Sequence, residues 1–160
     1  MSTIGNAVTP EKRRAVAAIF WGGLFCGLLD IAAAFVTWAA RGVQPVRILQ
    51  SVASGLLGAA AFQGGTKTAA LGAVLHFLIA FIWATVFYVV SRKLAFLTRR
   101  PVISGMLYGV VVYVLMYYVV LPLSASRTPA FSVTAVAIAV LTHMFCVGLP
   151  ISLAVRLYSR

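Results

Sequence analysis

Apolar positions along the chain gather into four long blocks, separated by short polar stretches. The blocks run from about Ala15 to Ala40, Ala69 to Val90, Val102 to Leu121 and Phe131 to Val155. Each is close to the roughly 20 residues a helix needs to cross a bilayer core of about 30 Å. The pattern predicts an all-α fold: an integral membrane four-helix bundle that occupies residues 1–160 as a single domain.

The stretch between the first two blocks carries a different pattern. Pro45 suits a helix start. After it Val46, Leu49, Val52, Ala53, Leu56 and Leu57 recur at helical spacing, while Arg47, Gln50, Ser51 and Ser54 take the other face. This predicts an additional amphipathic helix over about 45–58, interfacial or re-entrant. Gly64 and Gly65 then turn the chain toward the second span.

Small residues mark the faces on which membrane helices approach closely. In the first block Gly23, Gly27 and Ala34 share a face with Asp30, and Leu24, Leu28, Ile31 and Phe35 point elsewhere. The third block repeats the pattern with Gly105 and Gly109, continued by Tyr113 and Tyr117. Gly72, His76, Ala80 and Trp83 line up in the second block, and Ala139, His143 and Cys146 in the fourth. Pro150 predicts a kink near the end of the fourth helix. Each hairpin thus pairs a small-residue helix with one carrying a histidine, a weak internal likeness of the kind seen in transporters.

Composition agrees with the blocks. Hydrophobic residues make up 62% of the chain and charged residues 9%, where a soluble domain carries roughly 25% charged. The net charge of +11 belongs to basic loops that set topology and touch anionic lipids. No basic reader helix points to nucleic acid. With both termini in the cytoplasm, Lys12, Arg13, Arg14, Arg92, Lys93, Arg99, Arg100, Arg156 and Arg160 lie inside, and Arg41, Arg47, Lys67 and Arg127 outside. Nine against four favours that orientation. The first block is too long for a signal-peptide core and contains Asp30, so it is expected to stay as a helix.

Asp30 is one of two acids in the chain; the other, Glu11, lies in the polar N-terminal tail. A carboxylate at membrane depth costs roughly 2.5–3.5 kcal/mol on insertion scales, so it needs a partner, water or a site. At 1.5 Å per residue, Asp30 falls about 8 Å and His76 about 10 Å from the outer edge, Tyr113 about 12 Å and His143 about 18 Å. The expectation is an intramembrane polar cluster of Asp30, His76, Tyr113 and His143, with an Asp30–His76 pair able to shuttle a proton or bind a small cation. The competing expectation is that these side chains only glue helices together. Cys26 and Cys146 read as small hydrophobes, and no spacing suggests a metal site. A b-type haem between His76 and His143 is the cofactor alternative, but their levels differ by about 8 Å, so no cofactor is expected. No protease or hydrolase motif is present, and Ser124 and Ser126 read as helix-end serines; the chain is not expected to be an enzyme.

The stretches Gly27-Leu28-Leu29-Asp30, Gln50-Ser51-Val52-Ala53-Ser54-Gly55-Leu56-Leu57-Gly58, Leu75-His76-Phe77 and Val120-Leu121-Pro122-Leu123-Ser124 resemble a group of small four-span proteobacterial inner-membrane proteins known only as hypothetical proteins. The resemblance covers most of the chain from Trp21 onward. It implies a four-helix fold and a bacterial cell inner membrane, and no activity. On size, the expected function is a non-catalytic accessory, assembly or structural membrane subunit, as a homo-oligomer or within a larger membrane complex. The alternative is a small proton- or ion-coupled transporter or channel module built on the Asp–His pair, which would need to oligomerise to enclose a path.

Overall fold

A computed structural model describes residues 9–127 and 131–158; Arg160, counted above among the inner basic residues, lies outside them. The described residues are helical, without strands. Helix α1 spans Pro10–Ala39, α2 Pro45–Leu57, α3 Gly65–Ser91 and the short α4 Phe96–Arg99. Helix α5, Pro101–Leu115, continues through a π-helical segment, Met116–Val120, into α6, Leu121–Leu123. Helix α7, Val133–Thr142, continues through a second π-helical segment, His143–Gly148, into α8, Leu149–Tyr158. By length and composition, five helical stretches among the described residues could cross a membrane: Pro10–Ala39, Pro45–Gln63, Gly65–Ser91, Pro101–Leu123 and Val133–Tyr158. Many large apolar side chains point outward, among them Val36, Val74, Leu107 and Phe145. This is the make-up of a membrane protein, whose exterior dissolves in lipid.

The helices begin where local chemistry starts them. Thr9 caps α1 by accepting from the Lys12 backbone N–H at 3.4 Å, and Pro10 follows at a position that needs no N–H. The helix therefore starts about a turn before the apolar block, and its first turns are polar. Likewise α3 starts at Gly65, ahead of Ala69. Gly42, at φ +74°, turns the chain after α1. Gly58, at φ +57°, stops α2 and begins a 3-10 segment, Gly58–Gln63. The stretch Pro45–Gln63 is thus broken, and the 13 residues of α2 reach only about 20 Å.

Helix α1 packs between α3 and α8, and α5 packs along the π segment and α8. Glycines set how close these crossings are. Gly23 and Gly27 of α1 make room for the rings of Phe81 and Phe77 of α3, and Gly22 faces Ile151 and Ala154 of α8. The crossing of α5 with the last helix is backbone on backbone: Gly109 lies against the His143 carbonyl, Gly148 against the Gly105 carbonyl, and Gly105 against Ser152. Gly23, Gly27, Gly105 and Gly109 are the expected packing positions and Gly72 lies on the face expected of its block; Gly22 and Gly148 join them.

The two ends of the bundle differ. At the end holding Pro10 and Tyr158, the interior is filled by Ala18, Ala84, Phe87, Ile151 and Val155. Ser152 donates to the Pro101 carbonyl at 2.8 Å, and Arg156 donates to the Thr98 and Arg99 carbonyls at 2.8 and 3.0 Å. At the other end α2 crosses the start of α3. The Leu49 carbonyl rests on Gly72, and the Gln50 side-chain amide donates to the Gly65 carbonyl at 3.0 Å. Helix α2 is also tied to the segment after α6: the Ala125 backbone N–H donates to the Gly55 carbonyl at 2.9 Å, and the Ser54 and Ser126 hydroxyls share a 3.0 Å hydrogen bond. We call this the capped end. Polar Gln50 and Ser54 are buried there, while Leu56 and Leu57 face outward.

Candidate functional site

Below the cap α1, α3, α5 and the helix of α7 and α8 do not close on one another. They leave a cavity of about 370 Å³, within the size range of small-molecule sites. Asp30 and Cys26 line it from α1, His76, Ala80 and Trp83 from α3, and Val112, Tyr113 and Tyr117 from α5 and its π segment. His143 and Val147 line it from the last helix, and Ser51, Ser124 and Ser126 from the cap. Exposed Ser51 and Val120 mark where it opens, between α2 and the end of the α5 rod. Its floor is the filled half of the bundle, where Tyr108 donates to the Trp83 carbonyl at 2.7 Å and meets the Phe87 ring edge-on at 4.8 Å.

A second cavity of about 240 Å³ lies between the end of α1 and α7. It runs from Asp30 and His143 past Thr37 to Trp38 and Arg41, whose guanidinium sits 4.9 Å from the Trp38 ring centre. Asp30 and His143 are the residues that line both cavities.

All four residues of the expected polar cluster, Asp30, His76, Tyr113 and His143, line the central cavity. Their contacts are not those expected. Asp30 and His76 form no ion pair; among the described residues the ion pair is Arg92–Glu11, 2.7 Å, at the opposite end. Instead the His76 Nε2 lies 2.9 Å from the Gly27 carbonyl. Gly27 carries no side chain to shield its own carbonyl, and the neighbouring Phe77 ring fills the space a Cβ would take. His143 Nδ1 makes a 2.8 Å hydrogen bond to the Ala139 carbonyl, one turn back on its own helix. Tyr113, 7% exposed, meets the His143 ring edge-on at 5.5 Å and stacks on Tyr117 at 5.8 Å.

These bonds assign the tautomers. A carbonyl can only accept, so each ring nitrogen touching one must donate. That leaves Nδ1 of His76 and Nε2 of His143 as lone pairs when the rings are neutral. Ser51 and Ser124 spend their hydroxyl protons on the Ile48 and Leu121 carbonyls, at 2.6 and 2.7 Å, and the Ser124 oxygen accepts the Ser126 backbone N–H at 3.2 Å. The cavity wall therefore mixes these acceptors with the Trp83 N–H and the Tyr113 and Tyr117 hydroxyls, and holds one carboxylate and no lysine or arginine.

The serines were the part missed in the sequence. Ser51 and Ser54 looked like a water-facing helix side, and Ser124 and Ser126 like a helix-end motif. Each segment was visible, but nothing local signals that the two meet across 72 residues. His76 and His143 are the side chains with a nitrogen to spare for a cofactor, and no three His, Cys, Asp or Glu groups gather as a metal cluster among the described residues. No protein-family model, no curated protein and no solved structure matches the chain, so the site rests on its own geometry.

Proposed function

We propose that this is a small multi-pass protein of a bacterial inner membrane that admits a small ion or solute to its central cavity, with Asp30 as the charged group of the site. In this reading the rods of α1, α3, α5–α6 and α7–α8 are the four spans. The cap formed by α2 lies at the outer end, and the termini lie in the cytoplasm beside anionic lipid. The break at Gly58 supports four spans, because 13 residues of α2 fall about 10 Å short of the hydrocarbon core. The basic residues support the orientation.

One observation carries the functional reading. The chain leaves about 370 Å³ unfilled where all four rods meet and puts its sole intramembrane acid on the wall. A purely structural bundle gains by closing such a gap, since interiors pack to near crystal density, and by replacing Asp30 with a neutral residue. Neither binding nor passage requires bond-making chemistry, and the reading uses no cofactor. A Soret band in protein from haem-replete cells would replace it with a haem role for His76 and His143.

The test is flux in liposomes containing the purified protein, followed with a pH-sensitive dye, labelled inorganic ions and labelled organic cations. Wild type is expected to exceed empty liposomes, and Asp30→Asn to fall to their level while eluting from a sizing column like wild type. Equal flux through Asp30→Asn and wild type would remove Asp30 from the function.

A second reading, an accessory or assembly subunit, has its own observation. Between α1 and α8 runs an apolar outer groove of about 620 Å³ flanked by Trp21, Phe25, Leu29, Phe145, Leu153 and Leu157. A stoichiometric larger membrane partner retained in mild detergent, with no flux through the chain alone, would favour it.

A further inference from the structure

Resting on the solute-handling reading above, we propose that the central cavity takes a monovalent organic cation, an ammonium head at Asp30 with an apolar body against the walls of α3 and α5. The wall carries neutral donors in Trp83, Tyr113 and Tyr117, but its one full charge is the Asp30 carboxylate. Beside it on the wall stand His76, His143, Ser51 and Ser124, whose N–H and O–H donors are spent on the Gly27, Ala139, Ile48 and Leu121 carbonyls. A cationic head is drawn to the half-buried carboxylate, which repels an anion.

Charge sets the valence. Asp30 is the one acid on the wall, with no basic residue beside it in this cavity. Arg41 lines the second cavity, which Asp30 and His143 also line. One carboxylate balances one positive charge, and a second charge would be left desolvated and unpaired.

The remaining wall sets the body. Trp83, Tyr113 and Tyr117 present aromatic surfaces, and Ile79, Met116 and Val120 present aliphatic ones. Aromatic faces attract organic cations, the more so when water is excluded. A bare inorganic cation would need a shell of oxygens, which this largely carbon wall does not supply. A proton alone would need no space of this size.

Equilibrium binding to the purified full-length protein in detergent tests this, with radiolabelled benzyltrimethylammonium as the probe. Its uncharged isostere neopentylbenzene and the anion benzenesulfonate serve as competitors. The expected result is saturable binding at one site per chain. The neutral isostere should compete at least about tenfold more weakly, a difference of about 1.4 kcal/mol, and the anion should not compete. Asp30→Asn should lose binding by a similar factor. Equal competition by the neutral isostere against wild type overturns the proposal without any variant, and leaves the cavity as a site for uncharged solutes. Absence of probe binding also overturns it: if inorganic ions still cross liposomes only the ligand class falls, and if flux is absent as well the solute-handling reading falls with it.

Discussion

At the scale of single residues, the informative group is His76, because its two nitrogens have different tasks. Nε2 holds the Gly27 carbonyl at 2.9 Å and so links α3 to α1, which leaves Nδ1 as the spare nitrogen of a ring that lines the cavity. His76→Leu removes both and should lower stability in detergent by about 0.5–1.5 kcal/mol, the usual net worth of one hydrogen bond. His76→Gln keeps an N–H donor and should recover most of that stability without recovering the ligand affinity. If both variants bind the cation like wild type, the Nδ1 lone pair has no part in the site. The sequence placed Asp30 and His76 at nearly the same depth, since rise per residue is constant in a helix. It could not show which acceptor on α1 the ring would meet. That depends on Gly27, one turn from Asp30, exposing its carbonyl to α3, a fact of packing and not of spacing.

The same limit operates on elements. The long rods were legible because crossing a bilayer demands a long apolar run, and their true ends differ by a few residues where Thr9-Pro10 or Gly65 starts a helix early. The π segments were not legible. Pro122 and Pro150 cannot donate to the carbonyls four residues back, and Met116–Val120 and His143–Gly148 are the widened turns just before them. The sequence predicts a kink at Pro150; the structure places a widened turn just upstream of it, the one that carries His143. That turn lies on the tightest crossing of the bundle, where Gly148 meets the Gly105 carbonyl and Gly109 the His143 carbonyl. Gly148→Ala should therefore cost about 1–3 kcal/mol of overpacking and shift His143. Gly22→Ala should be neutral or stabilising, because its Cβ would sit 3.5 Å from the Ala154 Cβ, an ordinary contact, and alanine favours helix. Thermal unfolding of the two variants in one detergent checks the contrast; equal losses would show that backbone proximity does not govern this crossing. Helix α2 illustrates a further gap. Its two faces were visible, but burying Gln50 and Ser54 while turning Leu56 outward makes sense only when the surroundings are apolar, and a helical pattern does not name its solvent.

For the whole molecule, the open question of topology reduces to whether α2 caps or crosses. The composition of Pro45–Gln63 permits a fifth span, and then Arg41 and Lys67, which flank it, would stand on opposite sides of the membrane. The structure gives the segment a break at Gly58 and a seat across the start of α3, joined to the Ser124–Ser126 stretch. A cap of this kind closes the half of the bundle that holds the cavity, while the other half is filled and tied at its basic end by Arg156. A cavity with a packed floor at one end and exposed Ser51 and Val120 on its rim at the other should be reached from beside α2. Single cysteines at Arg41 and Lys67, in a background with Cys26 and Cys146 replaced, test this. An impermeant maleimide added to intact cells should label both sites. It should leave a cysteine at Lys93, on the opposite end, unlabelled until the membrane is opened. Labelling of Arg41→Cys but not of Lys67→Cys would make α2 a fifth span. Labelling of Lys93→Cys alone would invert the bundle and point the mouth beside Ser51 into the cytoplasm.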